Sequence, residues 1–159
     1  MLRAGLEPGH LAVNVSTAQL LADDFLETVR RLLARHGVPA ARLEVEVTET
    51  VLLDRSIARI GQALEALRAQ GCTLAMDDFG TGYASLSHLT SFPVDRIKID
   101  KSFTRAIEQP GDRGLIARTL IGLGRGLGLE VIAEGVETET QRSFLVAHGC
   151  TAIQGYLFA

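Results

Sequence analysis

The chain has 159 residues, with 16 Lys or Arg against 19 Asp or Glu, which gives a formal net charge of −3. This balance gives no support for binding duplex DNA or an anionic membrane through a basic face. The apolar stretches have the length of strands, far below the roughly 20 residues of a membrane span, and residues 1–9 lack the apolar core of a secretory signal. We therefore expect one globular domain located in the cytoplasm.

Short β-rich runs alternate with longer segments of helical period along the chain. Strands are predicted at residues 10–16, 43–48, 73–77, 96–100, 130–134 and 151–154. Helices are predicted at residues 23–35, with Asp23 or Asp24 as the cap, from about 56 to 70, at 113–127 and at 138–148. A glycine-bearing loop and a short helical piece separate the third and fourth strands. This alternation favours a parallel α/β sheet, either doubly wound or part of a (β/α)8 barrel.

The two cysteines, Cys72 and Cys150, each stand in a Gly-Cys-Thr step just before an apolar run. This position indicates two buried thiols at strand entrances rather than a disulfide or a metal site. The four histidines have no partners at ligand spacing, and a structural role is expected for each. They are His10, His36, His88 and His148.

Each predicted strand carries a polar or charged residue next to apolar ones near its carboxyl end. These residues are Asn14, Glu46, Asp77, Lys98, Glu134 and Gln154. The carboxyl ends of parallel strands share one rim, where barrel and open-sheet enzymes place their active sites. Burying these carboxylates without partners would cost several kcal/mol each, and Lys98 alone cannot balance them. A divalent metal ion, or a pair of ions, is therefore predicted as the counter-charge.

The kinds of ligand narrow the choice of metal. Asn, Asp and Glu oxygens suit Mg²⁺ or Mn²⁺ rather than zinc. The adjacent Asp77 and Asp78 can direct one carboxylate inward and the other to a second ion, as in two-metal sites that hydrolyse phosphate esters. Glu44 has the same strand parity as Glu46, so it either lines the barrel or makes a salt bridge. The sequence leaves these two alternatives open.

Six short motifs follow one another along residues 11–158. They are Asn14-Val-Ser, Glu46-Val-Thr-Glu49, Asp77-Asp78-Phe-Gly-Thr-Gly-Tyr83, Lys98-Ile-Asp100, Glu134-Gly-Val-Glu137 and Gln154-Gly-Tyr-Leu-Phe158. Together they resemble the EAL domain family, whose members are bacterial phosphodiesterases that hydrolyse the second messenger cyclic di-GMP to linear pGpG. The resemblance implies a TIM-type (β/α)8 barrel that binds cyclic di-GMP and two Mg²⁺ or Mn²⁺ ions.

The resemblance also implies which residues hold the ions. Asn14, Glu46 and Asp77 would ligate the first ion. Asp77 would bridge to the second ion, which Asp78 would also hold. Lys98 would orient or polarise the attacking water and stabilise the charge of the transition state.

Further roles follow from the same resemblance. Glu134 would act as general base or as a ligand of the second metal, and Gln154 would hold the water or the substrate phosphate. Asp100 and Glu137 would support Lys98 and the metals. The loop Phe79 to Ser85 resembles a regulatory loop that links substrate binding to homodimer formation, and Glu49 would tether it.

The chain departs from the family pattern at its ends. The Glu-Ala-Leu signature, with a metal-binding Glu and a nearby phosphate-binding Arg, does not precede Asn14. The six strands therefore correspond to strands 3 to 8 of the barrel, and residues 1–159 are interpreted as a partial EAL domain without the first two βα units and the final helix.

Three functions remain open for such a chain. The first is hydrolysis of cyclic di-GMP by the complete domain. The second is an EAL-derived module that binds cyclic di-GMP and signals without turnover. The third is another metal-dependent barrel that enolises or cleaves a small phosphate ester. The intact motifs favour the first, because a receptor would not need Lys98 and Glu134 together.

Overall fold

The computed structural model describes residues 9–82, 89, 90, 92–111 and 114–158. In that part of the chain, six parallel strands form one sheet in the order β1-β2-β3-β4-β5-β6. They are β1 (Leu11–Asn14), β2 (Leu43–Thr48), β3 (Thr73–Phe79), β4 (Arg96–Ile99), β5 (Glu130–Ala133) and β6 (Ala152–Ile153). A doubly wound sheet would reverse its strand order at one point, whereas sequential pairing curls the sheet as part of a barrel. The prediction of an incomplete α/β barrel is confirmed.

Helices connect the strands. They are α1 (Thr17–Leu20), α2 (Phe25–His36), α3 (Ile57–Ala69), α4 (Lys101–Ala106), α5 (Leu115–Gly126) and α6 (Glu139–Ala147). Short 3₁₀ segments occur at Ala40–Arg42, Glu49–Leu53 and Tyr156–Phe158. The four predicted helices are found within two residues of their expected starts, whereas α1, α4 and the 3₁₀ segments were not predicted. No helix in the described ranges is long and apolar enough to cross a membrane.

The ends of the helices follow their capping residues. Helix α2 ends at Gly37, whose φ of 62° suits a residue without Cβ. Helix α6 begins with a capping box between Thr138 and Gln141. The prediction of an N-cap at Asp23 or Asp24 is confirmed at Asp24, although the Asp24 side chain makes no capping hydrogen bond.

The strands separate apolar from charged side chains by their alternation. One face of the sheet carries apolar residues that pack in the core with residues of α3 such as Ile60, Leu64 and Leu67. These strand residues include Val45, Val47, Leu74, Met76, Ile97, Ile99, Val131 and Ala133, each at most 1% exposed. The opposite face lines the interior of the curled sheet and carries the charged residues. The fold thus places the predicted site residues on one side of one sheet.

Both cysteines are free thiols. Cys72 precedes β3 and is buried, and Cys150 precedes β6 and is partly buried. Burial raises the pKa of both thiols, so both stay protonated at neutral pH.

Candidate functional site

The ammonium group of Lys98 lies at the centre of the site. Its Nζ is 2.7 Å from Glu46 Oε1, 2.7 Å from Glu134 Oε1 and 3.2 Å from Asp77 Oδ1. We call these four residues the upper cluster. Burial alone would lower the pKa of Lys98, but its hydrogen bonds to Glu134 and Glu46, together with the charges of Glu134 and Asp77, raise that pKa above its ordinary value. Lys98 is therefore held as a cation among three carboxylates.

Glu134 and Gln154 follow β5 and β6 and are hydrogen-bonded to each other. The Nε2 of Gln154 donates to Glu134 Oε1 over 2.7 Å. Burial raises the pKa of Glu134, and the nearby charges of Asp77 and Glu46 add to the rise, which the ammonium of Lys98 opposes without cancelling. A carboxylate with a raised pKa is suited to accept a proton from water.

The adjacent aspartates lie at an irregularity in β3. The pairing of β3 with β4 shifts between Met76 and Phe79. Asp78 has a φ of 53°, in the left-handed region that L-residues rarely occupy, and its N–H donates to Asp77 Oδ1 over 3.0 Å. Burial, together with the charges of Asp77 and Asp100, raises the pKa of Asp78. Asp77 thus points to Lys98 while Asp78 is exposed.

The predicted metal ligands supply donors of the right chemistry. Asn14 stands opposite Glu46 in the register of β1 and β2, and Asp77 and Asp78 add carboxylate oxygens. This all-oxygen set fits a hard divalent ion. Within the described residues, no three His, Cys, Asp or Glu side chains are grouped as a metal site requires. The donors therefore fit the ions in type, and an ion would have to draw Glu46 and Asp77 away from Lys98.

Glu49 holds the start of the glycine-bearing loop. Its side chain is buried, and its Oε2 accepts the N–H groups of Gly80 and Gly82 over 3.0 and 3.1 Å. A Cβ on Gly82 would stand 3.1 Å from the Glu49 carboxyl group, so the close approach favours glycine there. Residues 83–85 of the predicted regulatory loop lie outside the described residues.

Asp100 and Glu137 are placed at the same rim but bind other partners. Asp100 caps α4 through a 2.9 Å hydrogen bond from the N–H of Ser102. Burial would raise the pKa of Asp100, but the hydrogen bonds from Ser102 lower it overall. Glu137 pairs with Arg105 at 3.0 Å. In the described contacts, neither carboxylate reaches Lys98, which the resemblance expected them to support together with the metals.

A second group of charges, not predicted from the sequence, lies nearer the amino ends of the strands. The guanidinium of Arg96 bonds to the buried Glu44 and, over 2.5 Å, to Glu130 Oε2. We call Glu44 and Arg96 the lower ion pair. Glu44 thus lines the curled sheet and also makes a salt bridge, so the two alternatives for this residue hold together. The sequence signal for this ion pair was the position of Arg96 two residues before Lys98, which places both cations on the same face of β4.

A cavity of about 560 Å³ adjoins the upper cluster. Glu134 and Gln154 line it together with Lys101, Arg105 and the exposed Tyr156. A larger cavity, of about 720 Å³, lies beside the amino ends of β3 to β5 and contains none of the predicted site residues. The smaller cavity is the better candidate for the site, because Glu134 of the upper cluster and its hydrogen-bond partner Gln154 line it.

The EAL domain family matches residues 1–159. The chain belongs to the EAL domain family. The bifunctional diguanylate cyclase/cyclic di-GMP phosphodiesterase MucR of Pseudomonas aeruginosa is 39% identical over 160 residues, which cover 98% of this chain and 23% of MucR. The cyclic di-GMP phosphodiesterase RocR of the same organism is 37% identical over 153 residues, covering 96% of this chain and 39% of RocR.

Solved structures share the fold. The PaMucR phosphodiesterase in complex with c-di-GMP aligns with a TM-score of 0.90 and 38% identity, covering 99% of this EAL domain chain and 64% of that one. A manganese/cy-diGMP complex of Klebsiella pneumoniae BlrP1 aligns with a TM-score of 0.82 and 34% identity, covering 93% and 38%. This EAL chain thus spans well under half the length of MucR and RocR.

Proposed function

We propose that this EAL domain takes part in the hydrolysis of cyclic di-GMP to linear pGpG, as the catalytic portion of a complete domain located in the cytoplasm. The observation that carries the proposal is the upper cluster, in which one buried ammonium faces three carboxylates at the carboxyl ends of the strands. Relatives named as cyclic di-GMP phosphodiesterases support the choice of substrate. Manganese and calcium complexes of a similar domain with the same nucleotide support a divalent metal.

Two Mg²⁺ or Mn²⁺ ions, held by Asn14, Glu46, Asp77 and Asp78, would lower the pKa of a water and neutralise the phosphate oxygens. The fit rests on the oxygen donors and on the excess of carboxylates over cations in the upper cluster. The same excess explains why the ions are needed, because an anionic phosphodiester is repelled by uncompensated carboxylates.

Lys98 supplies a fixed positive charge. Because its pKa is raised, it stays protonated at neutral pH and does not act as a base. Its Nζ stands between Glu46 and Glu134, so it can stabilise negative charge that develops on the phosphate oxygens. When Glu46 turns to an ion, the contact with Glu134 still holds Lys98 in place, so the lysine loses little freedom when substrate binds.

Glu134 is the proton acceptor in this proposal. Its raised pKa and its position beside Lys98 suit it to take a proton from the attacking water, which in turn bonds to the phosphorus as the phosphodiester P–O bond breaks. Gln154 fixes the orientation of Glu134 through its amide. Asp100 and Glu137 act from further out, by capping α4 and by holding Arg105 near the cavity.

Glu49 and the loop that begins at Phe79 form the regulatory part of the proposal. The carboxylate of Glu49 anchors two backbone N–H groups of the loop, and the loop follows directly on Asp77 and Asp78. A change in the loop therefore moves the ends of the metal-binding strand. We propose that homodimer contacts through this loop act on the site by that route.

The test is hydrolysis of cyclic di-GMP by the complete protein with Mn²⁺, followed by chromatography of the nucleotides. We expect pGpG to form, and chelation by EDTA to abolish its formation. Glu46→Gln should remove activity, whereas the matched control Glu65→Gln, on the exposed side of α3, should retain it. Tight binding of cyclic di-GMP without any pGpG would contradict hydrolysis and favour the binding module.

A further inference from the structure

The lower ion pair runs parallel to the contact between Glu46 and Lys98. Both contacts reach from β2 to β4 and cross β3. The register places Ala75 of β3 beside Glu46 on one side and beside Arg96 on the other. Ala75 is fully buried, and its small side chain leaves space for longer side chains to meet over it. Two carboxylates of β2 thus face two cations of β4.

Arg96 and Lys98 both lie near two carboxylates, Glu44 and Glu46. Glu44 and Glu46 are two residues apart on one face of β2, which places them only about 7 Å apart along the strand. Arg96 is long, carries five N–H donors and uses one side of its fork for Glu44. If Glu44 lost its charge, Arg96, whose side chain is only 20% exposed, would keep only the exposed Glu130 as a counter-charge. Its freed N–H groups would then turn to another carboxylate, because a largely buried charge needs close partners. Glu46 is the next carboxylate along that face.

We propose that Glu44 is a positioning residue for Lys98. By pairing with Arg96, Glu44 keeps Glu46 available to the lysine and, in the assembled site, to the metal. Glu44 acts through Arg96 and touches neither the reacting atoms nor the substrate. This inference rests on the proposed function for its effect on turnover, but the arrangement of charges can be tested without turnover.

The test compares the unsubstituted complete protein with Glu44→Gln and with Glu44→Gln/Arg96→Met. The first measurement is the rate at which acetic anhydride acetylates Lys98 in metal-free protein, determined by mass spectrometry of peptides. The second is the kcat for hydrolysis of cyclic di-GMP with Mn²⁺. Thermal melting reports whether each variant is folded. The acetylation rate needs neither metal nor nucleotide, so it remains informative if the protein does not hydrolyse cyclic di-GMP.

The two variants should behave in opposite ways. In Glu44→Gln, Arg96 should take Glu46, Lys98 should be acetylated faster, and kcat should fall about tenfold to hundredfold as the site loses its geometry. In the double variant no guanidinium competes for Glu46, so acetylation should slow again and kcat should return to within about threefold of the unsubstituted protein. A purely structural role of Glu44 predicts no such recovery, because the double variant lacks both partners.

Two results would overturn the inference. One is an unchanged acetylation rate of Lys98 in folded Glu44→Gln. The other is a folded double variant in which Lys98 is acetylated as fast as in Glu44→Gln. If Glu44→Gln does not fold, Glu44→Asp replaces it, because Asp keeps the charge but is shorter by one methylene. Lys98 in Glu44→Asp should be acetylated faster than in the unsubstituted protein and more slowly than in the unfolded chain. Failure of pGpG formation in the unsubstituted protein would reject the proposed function alone.

Discussion

The upper cluster and the lower ion pair lie on the same face of the same strands but differ in their balance of charge. In the lower group, Arg96 binds the buried Glu44, and its other partner, Glu130, is 59% exposed. In the upper cluster, one ammonium serves three carboxylates that are all largely buried. The lower pair is therefore nearly neutral inside the protein, whereas the upper cluster retains negative charge that a cation from solution can neutralise. The number of cations per carboxylate, rather than the pattern of residues along the strands, therefore distinguishes the lower ion pair from the upper cluster.

Removing the cation of the upper cluster should have the largest effect. Lys98→Met leaves three carboxylates facing each other, and we expect the metal-free protein to lose about 3 to 5 kcal/mol of stability, as when one partner of a buried ion pair is removed. Because Mn²⁺ can replace the missing positive charge, it should raise the melting temperature of this variant more than that of the unsubstituted protein. Denaturant unfolding and thermal melting, each with and without Mn²⁺, measure both effects. Equal shifts with Mn²⁺ in the two proteins would contradict the charge argument.

Removing one carboxylate of the upper cluster should separate activity from stability. Asp77→Asn keeps the shape of the side chain and lowers the surplus negative charge, so we expect the melting temperature of the metal-free protein to be unchanged or higher. Hydrolysis of cyclic di-GMP should fall about a hundredfold or more, since a proposed ligand of the ions that would neutralise the transition state is lost. The matched control is Asp23→Asn, whose side chain is fully exposed. Full activity of Asp77→Asn would remove this residue from the proposed site.

Glu49 offers a third type of carboxylate, which accepts hydrogen bonds from the backbone N–H groups of Gly80 and Gly82. Glu49→Gln weakens the anchor of Gly80 and Gly82, and we expect kcat to fall about tenfold through loss of loop positioning. The melting temperature should change little relative to the Glu65→Gln control. Steady-state kinetics and calorimetry test this expectation, and a large loss of stability without loss of kcat would assign Glu49 a structural role instead.

The smallest effect is expected at the outer partner of Arg96. Glu130 is mostly exposed, so Glu130→Gln should cost at most about 1 kcal/mol of stability. Turnover and the acetylation of Lys98 should match those of the unsubstituted protein. An effect as large as that of Glu44→Gln would mean that both partners, and not the buried one alone, hold Arg96.

Much of the architecture could be predicted from the sequence because alternation and glycine punctuation are local signals. The six strands, four of the helices and the polar residues at the strand ends all follow from patterns within a few residues. Helix α4 was missed because Asp100 also fits the pattern of a strand end, and only its hydrogen bond to Ser102 identifies it as a cap. A helix of six residues carries too little periodicity to be recognised.

The contacts between residues of the site were harder to predict from the sequence than the residues themselves. The sequence placed Lys98 and the carboxylates at one rim, but which carboxylate meets which cation depends on the register of strands far apart in the chain. The pairing of Arg96 with Glu44 joins residues 52 positions apart, and it crosses a strand through the gap left by an alanine. Asp100 and Glu137 were expected to support Lys98 and the metals, and their described contacts are with Ser102 and Arg105 of α4.

The left-handed backbone of Asp78 restricts which side chains this position accepts. Glycine, asparagine and aspartate tolerate such a φ, whereas β-branched or bulky residues strain the chain. Asn is therefore the one replacement that removes the charge of Asp78 while leaving both its backbone and its size in place. Alanine, the usual choice for scanning, would mix loss of a proposed metal ligand with strain in the backbone at this position. The backbone conformation at this position therefore makes Asp78→Asn the informative substitution for engineering this domain.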